Sequence, residues 1–311
     1  MREFVYLISP VDKLKLRHQR LTEQVLGAEQ PATLLLIALL AKGHALIQGA
    51  PGIGKTSIAQ TLASCFGGEF RRIQFTPDLL PSDILGYHLY KQNSGEFEFI
   101  PGPVFSNLLL ADEINRTSPR VQAALLEAMN EAQVTIDGKT IALDSPFCVI
   151  ATQNDTSSTG TFPLPEPQLD RFLLSIPMSL PSRSIQESII LSQHAQIVAG
   201  EVEPFLSIED IVNEQEKCLA IQLSETLSGY IIALCESVRQ LAANPHAVSI
   251  RGSIALLHAA QAYAHLQESE YVLPDHVQFV FPHVMRHRII CDDGSDPEHI
   301  IEQALQQTVV A

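Results

Sequence analysis

Apolar positions along this chain follow two different patterns, and the change between them divides it. Up to residue 177, short apolar runs alternate with stretches whose apolar residues recur every three or four positions. Residues 45–48, 70–75, 108–111, 147–152 and 172–176 read as strands, and 108–111 (Leu-Leu-Leu-Ala) has the continuous apolar character of a buried parallel strand. Between them, residues 55–66 predict a helix. A second helix is predicted after Ser118, which can cap it, with Pro119 in its first turn and Val121, Ala124, Leu125, Ala128 and Met129 on one face. Residues 12–42 read as helices with a break near Gly27 and Pro31. Strands and helices in alternation imply an α/β fold, a parallel sheet covered on both faces.

Two hairpins interrupt that alternation. Val134–Ile136, Asp137-Gly138 and Lys139–Ile141 form a two-residue Asp-Gly hairpin. A softer one joins residues 85–90 to 96–100, where Glu-Phe-Glu-Phe alternates as in a half-buried strand; packing inward is the reading preferred for its phenylalanines over a grip on another molecule. After Pro177 the alternation stops. Residues 177–181 read as a linker, and 184–199, 224–241, 253–266 and 274–284 show only helical periodicity. The expected division is an α/β domain with N-terminal helices at 1–183 and an all-helical domain at 184–311.

The composition narrows the options. The longest fully apolar run, residues 34–41, is eight residues, against the roughly 20 needed to span a membrane. The start of the chain does not read as a secretory signal, since Glu3 interrupts it and the run 4–8 is short. The five cysteines form no C-x-x-C pair, which points to a reducing compartment and a cytoplasmic protein. A net charge of −15 is a poor footprint for gripping a phosphate backbone. The eleven histidines are scattered, with no H-E-x-x-H pair, so no metal site is expected beyond one for a nucleotide's magnesium.

The chemistry is concentrated after the first strand. Gly49, Ala50, Pro51, Gly52, Ile53, Gly54, Lys55 and Thr56 fit G-x-x-x-x-G-K-[ST], following a strand and opening a helix. With Ser57 next in that helix, they are the candidate nucleotide-binding residues. Backbone N–H groups at such a helix start face anions. Lys55 is placed to reach the β- and γ-phosphates of ATP, and the Thr56 hydroxyl to bind Mg²⁺. Strand 108–111 delivers Asp112 and Glu113 to its tip: Asp112 suits a Mg²⁺-linked role and Glu113 the polarising of an attacking water. Asn154, beyond the fourth strand, is either a holder of water or γ-phosphate or an ordinary turn residue. Two arginines invite explanation. Arg171 either pairs locally with Asp170 or serves the reaction, and Arg251 is either a solvated helix start or a functional residue.

Taken together, these motifs resemble the AAA+ ATPases, and among them the MoxR family. The resemblance is carried by Gly43-His44-Ala45, Gln74-Phe75-Thr76-Pro77-Asp78-Leu79-Leu80-Pro81-Ser82-Asp83, Pro101-Gly102-Pro103-Val104-Phe105 and Ala111-Asp112-Glu113-Ile114-Asn115-Arg116. It continues in Leu125–Met129, Ala151-Thr152-Gln153-Asn154 and Leu169-Asp170-Arg171-Phe172. It covers residues 25–180 densely and the helical lid more thinly. It implies a strand order of 5-1-4-3-2, with Asn154 as sensor 1, Arg171 as an arginine finger, Arg251 as the sensor 2 arginine and Val25-Leu26-Gly27 as the wall beside the adenine. The hairpins resemble those lining the pore of related rings. The function implied is ATP hydrolysis in a hexameric homo-oligomer that remodels a partner protein, one carrying a von Willebrand factor A domain. Two alternatives stand beside it: a nucleic-acid motor of the same superfamily, which the acidic balance disfavours, and a nucleotide-dependent scaffold with little turnover, which the Asp112–Glu113 pair disfavours.

Overall fold

The structure, a computed structural model, describes residues 18, 19, 21, 25, 27–154, 160–196, 206–244, 247–289 and 296–310, without the side chains of 192–196. Most of the helical stretch expected over 12–26 lies outside the described residues, as do 197–199 and Cys291.

The chain enters through α1 (Glu29–Leu40) and β1 (Ala45–Gly49), followed by α2 (Lys55–Cys65) and β2 (Phe70–Gln74). A short α3 (Pro81–Leu85) leads into the hairpin β3 (Gly86–Lys91) and β4 (Glu96–Pro101), then β5 (Leu108–Asp112) and α4 (Pro119–Glu131). The second hairpin is β6 (Gln133–Ile136) and β7 (Lys139–Ala142), followed by β8 (Cys148–Asn154), α5 (Glu166–Leu169) and β9 (Leu174–Pro177). The helical part comprises α6 (Arg183–Gln196), α7 (Ile208–Ala220), α8 (Glu225–Leu241), α9 (Ile250–Leu266), α10 (Pro274–Met285) and α11 (Pro297–Gln307).

Five strands form one parallel sheet in the order β2-β5-β8-β1-β9, the order the resemblance implies. Successive side chains point to opposite faces of a strand, and the apolar runs separate accordingly. Ala45, Ile47, Leu108, Leu110, Cys148 and Ile150 face one core, while Leu46, Leu109, Ala111, Val149 and Ala151 face another, under α4. The first core does not stop at the end of the sheet domain. It runs through α1 into Leu234 of α8, Leu256 of α9, Phe281 of α10 and Ile301 of α11. That continuity explains the eight-residue apolar run: every residue from Ala32 to Leu40 is buried, as befits a helix enclosed on all sides.

Some expectations need correction. Ser118 occupies the N-cap of α4, but its side chain makes no capping hydrogen bond; Pro119 alone marks the start. Helix α9 begins at Ile250, three residues before the expected start, behind the cap Ser249, whose Oγ accepts from Gly252 N at 3.1 Å. Helices α7 and α11 went unanticipated, although Ser207 and Asp210 form a reciprocal capping box and Asp296-Pro297 opens α11. The Asp-Gly turn is as expected, with Asp137 and Gly138 both at positive φ. The β3–β4 hairpin pairs as expected but stands off the sheet. Phe99 packs on Phe105, whereas Phe97 is 70% exposed beside Tyr90, because among the described residues no third layer covers that face.

His44, just before β1, ties the second layer to the sheet. Its Nε2–H donates to Met129 O at 3.0 Å, and its Nδ1 accepts from Val149 N at 3.0 Å. Both bonds require the neutral ring, and burial pushes its pKa down to about 4. Because the folded value lies below the unfolded one of about 6.5, this stability is complete above pH 6.5 and is lost as the pH falls towards 4. Urea unfolding should therefore show the unmodified chain losing about 2 kcal/mol more than His44→Gln between pH 7.5 and pH 5.

Candidate functional site

Parallel pairing aligns the C-terminal ends of β1, β5 and β8, and the candidate residues lie there. Gly49 pairs with Asn154 across β1 and β8, and Gln74 with Asp112 across β2 and β5. Beyond β1 the chain turns through Gly49 to Gly54 into α2. A Cβ on Gly49 would lie 2.3 Å from Met178 O, and Gly54 caps the helix at φ 95°, a conformation open to glycine at little cost. Lys55, Thr56, Asp112, Glu113 and Asn154 line a cavity of about 400 Å³ together with Gln74. Ser57 lies at the junction between this cavity and a second one of about 680 Å³. Val25, Gly27 and Ile58 line that second cavity, and Leu26, the remaining member of the expected adenine wall, lies outside the described residues.

Hydrogen bonds connect these groups into one network. Lys55 Nζ donates to Asn154 Oδ1 at 2.7 Å, to Ala50 O at 2.8 Å and to Gly49 O. The Thr56 hydroxyl lies 3.1 Å from Asp112 Oδ2, and Thr152 Oγ1 donates to Asp112 Oδ1 at 2.6 Å. Thr152 Oγ1 also accepts from Glu113 N at 2.8 Å, and so joins both acidic residues. Glu113 stands in the left-handed region (φ 57°), which turns its carboxylate out of the strand line. One of its oxygens accepts from Asn154 Nδ2, the other from Gln74 Nε2 at 2.8 Å and Arg116 Nη1 at 2.9 Å.

Neither Arg171 nor Arg251 lines this cavity. Arg171 precedes β9, an edge strand paired only with β1. Leu174 is level with Ala45, at the far end of β1 from Gly49. Four residues of strand separate those levels by about 13 Å, so Arg171 lies beyond reach of its own phosphate loop. Its Nη1 donates to Leu126 O at 2.6 Å and to the Asn130 amide oxygen at 2.9 Å. The local pairing of Arg171 with Asp170 is not formed: the Asp170 carboxylate accepts instead from Arg288 Nε at 2.8 Å and Ser249 Oγ at 2.9 Å, with Arg251 Nη1 at 4.0 Å. Asp170 thus adjoins Arg171 in the chain and approaches Arg251 through its carboxylate.

Comparison with known proteins agrees with this geometry. Residues 44–174 match the ATPase family associated with various cellular activities (AAA), and residues 235–308 match the AAA lid domain. The protein YeaC of Bacillus subtilis is 42% identical over 94% of this chain and 92% of its own length. Chaperone MoxR1 of Mycobacterium tuberculosis is 39% identical over 91% of this chain and 78% of its own. The chain belongs to the MoxR family of AAA+ ATPases. A solved structure from Cytophaga hutchinsonii matches this one with a TM-score of 0.87 at 36% identity, covering 97% of this chain and 96% of that one.

Within this MoxR-family site, four contributors escaped the sequence reading. Thr152 bridges Asp112 and Glu113, Gln74 and Arg116 hold Glu113, and Arg72 Nη2 donates to Asp112 Oδ2 at 2.7 Å. Alternation in β2 was the available signal, since residues two apart share a face: Arg72 and Gln74 both point towards the tip of β5. The Lys55 contacts yield a direct expectation. Lys55→Ala removes the cation at the centre of the loop while its helix persists. ATP affinity, measured by titration calorimetry, should fall at least 100-fold with an unchanged far-ultraviolet circular dichroism spectrum.

Proposed function

We propose that this MoxR-family chain hydrolyses ATP at the interfaces of a homo-oligomeric, hexameric ring and uses the cycle to remodel a partner protein. The observation that carries the reading is the convergence of Lys55, Thr56, Asp112, Glu113 and Asn154 on one cavity at the end of the sheet. The phosphates of ATP, the substrate, would lie against Gly49–Thr56 and the helix start, which favours anions. The Thr56 hydroxyl and the buried Asp112 carboxylate are a hard-oxygen pair suited to hold Mg²⁺. That ion would supply charge neutralisation at the phosphates. Glu113 would orient and polarise the attacking water, once freed from Gln74 and Arg116, and Asn154 would position that water or the γ-phosphate.

Arg171 is assigned to a neighbouring subunit's nucleotide. It lies at the wrong end of an edge strand to serve its own, and head-to-tail contacts that close make rings. Arg251, whose guanidinium comes within 4.0 Å of the neighbouring Asp170 carboxylate, is assigned to the same face. Support for a remodelling role comes from the relative named a chaperone. A von Willebrand factor A domain partner rests on the family resemblance, with the exposed Tyr87, Tyr90 and Phe97 of the first hairpin available for a protein client. Among the described residues no helix is long and apolar enough to cross a membrane.

Two measurements test this. Glu113→Gln keeps the shape of the side chain and loses its charge, so the variant should bind ATP while steady-state phosphate release falls about 100-fold or more; turnover like the unmodified chain's at saturating ATP would remove Glu113 from the reaction. Arg171→Ala should bind ATP normally and hydrolyse it about 10³-fold more slowly. Mixing it with Lys55→Ala subunits should restore part of the rate, because some interfaces then combine an intact loop with an intact arginine. Mixed rings without recovery would show that Arg171 does not act across the interface.

A further inference from the structure

Arg288 is the most enclosed arginine described, 3% exposed just beyond the end of α10. Its guanidinium is spent almost entirely on the backbone that flanks Arg171. Nη2 donates to Phe172 O at 2.7 Å and Asp170 O at 3.3 Å, and Nη1 to Leu173 O at 3.3 Å and to Val284 O of its own helix. Nε donates to the Asp170 carboxylate at 2.8 Å. The preceding residue adds to the grip: His287 Nε2 lies 2.9 Å from Phe172 O. The carbonyls on both sides of Arg171 are therefore held by the lid.

The same carboxylate reaches the other functional arginine. Asp170 Oδ2 accepts from Ser249 Oγ, the N-cap of α9, and Arg251 is the second residue of that helix. Packing is tight where the two lid elements meet. A Cβ on Gly252 would lie 3.2 Å from Arg288 Cδ, so glycine there leaves the room the guanidinium fills.

We infer that Arg288, acting through Asp170, is a positioning residue that sets Arg171 and Arg251 as one unit for delivery to a neighbouring subunit. The inference rests on the reading of Arg171 as an arginine that acts across an interface. Three features carry it: one side chain spans the loop before β9, the start of α9 and the end of α10; its planar fork serves several acceptors at once, which an ammonium cannot reproduce; and its hydrogen bonds go to carbonyls and to Asp170 while it does not line the cavity, so its effect on the reaction is indirect.

The test uses Arg288→Lys, which keeps the charge and loses the fork, and Asp170→Asn, which keeps the shape and one acceptor and carries the test alone if the lysine variant fails to fold. Each is assayed for ATP binding, turnover and complementation in mixed rings. The expected result is turnover about 10- to 100-fold lower with ATP affinity unchanged, and recovery on mixing with Lys55→Ala but none with Arg171→Ala. That pattern places the defect on the arginine-donating face. Unreduced turnover, weakened ATP binding, recovery with the Arg171→Ala partner, or no recovery with either would overturn the inference. The Arg171→Ala and Lys55→Ala mixture is the control: if that pair alone fails to recover, the reading of Arg171 has fallen, and the inference with it, for an identifiable reason.

Discussion

Register is the constraint on which the rest of this molecule depends. Because β1 pairs with β8 so that Gly49 meets Asn154, the loop that leaves β1 and the amide that ends β8 emerge at one point. Because β2 pairs with β5 so that Gln74 meets Asp112, a neutral amide and an acidic tip emerge beside them. A slip of one residue of β1 against β8 would turn its side chains to the opposite face, moving Leu46 and Ile47 into the wrong cores and Gly49 away from Asn154. The two cores that fix the register therefore also fix the geometry of the site.

The helical part is joined to the sheet in two ways. Apolar packing through α1 makes one core from the sheet face to α11. Polar contacts cover the edge that β9 would otherwise expose: His287 and Arg288 meet carbonyls of residues 170–173, and His283 Nδ1 lies 3.4 Å from Ser175 O. Burial pushes the pKa of His283 down to about 4, which keeps it uncharged at neutral pH between the lid and that edge. Edge strands present unpaired backbone groups that must be covered, and here the cover carries the residues that hold the Arg171 loop.

What could be read in advance follows from the range of the interactions involved. The strands and the phosphate loop were legible because local pattern specifies them: apolar runs of strand length, glycines at a strand-to-helix turn, and an acidic pair after Leu108–Ala111; the strand order came only with the family resemblance. Lys55, Thr56, Asp112, Glu113 and Asn154, singled out by such patterns, line one cavity. Phe97 was misread because alternation states that one face is buried without stating that anything is present to bury it. Helix α7 was passed over although Ser207 and Asp210 spell a cap, its apolar face being only Ile211 and Cys218 with polar Gln215 enclosed between them. Arg72, Gln74 and Arg288 were harder to see for a different reason. Their partners lie 40, 39 and 118 positions away: alternation in β2 sets Arg72 and Gln74 on one face without naming the strand they meet, and nothing near Arg288 in the chain marks it out.

Asn154 has one amide and two clients. Its oxygen accepts from Lys55 and its nitrogen donates to Glu113, so the cation and the acid share a tether. An anion that draws Lys55 away loosens the amide's orientation, and the hold on the acid with it. Thermodynamic linkage makes that relation reciprocal: whatever pulls Glu113 from the amide, including a shift of Gln74 at the root of the segment leading to the first hairpin, changes the affinity for the anion by the same factor. The loop that carries Lys55 and the acid at the tip of β5 are in this sense coupled through one side chain, without any large movement of the sheet.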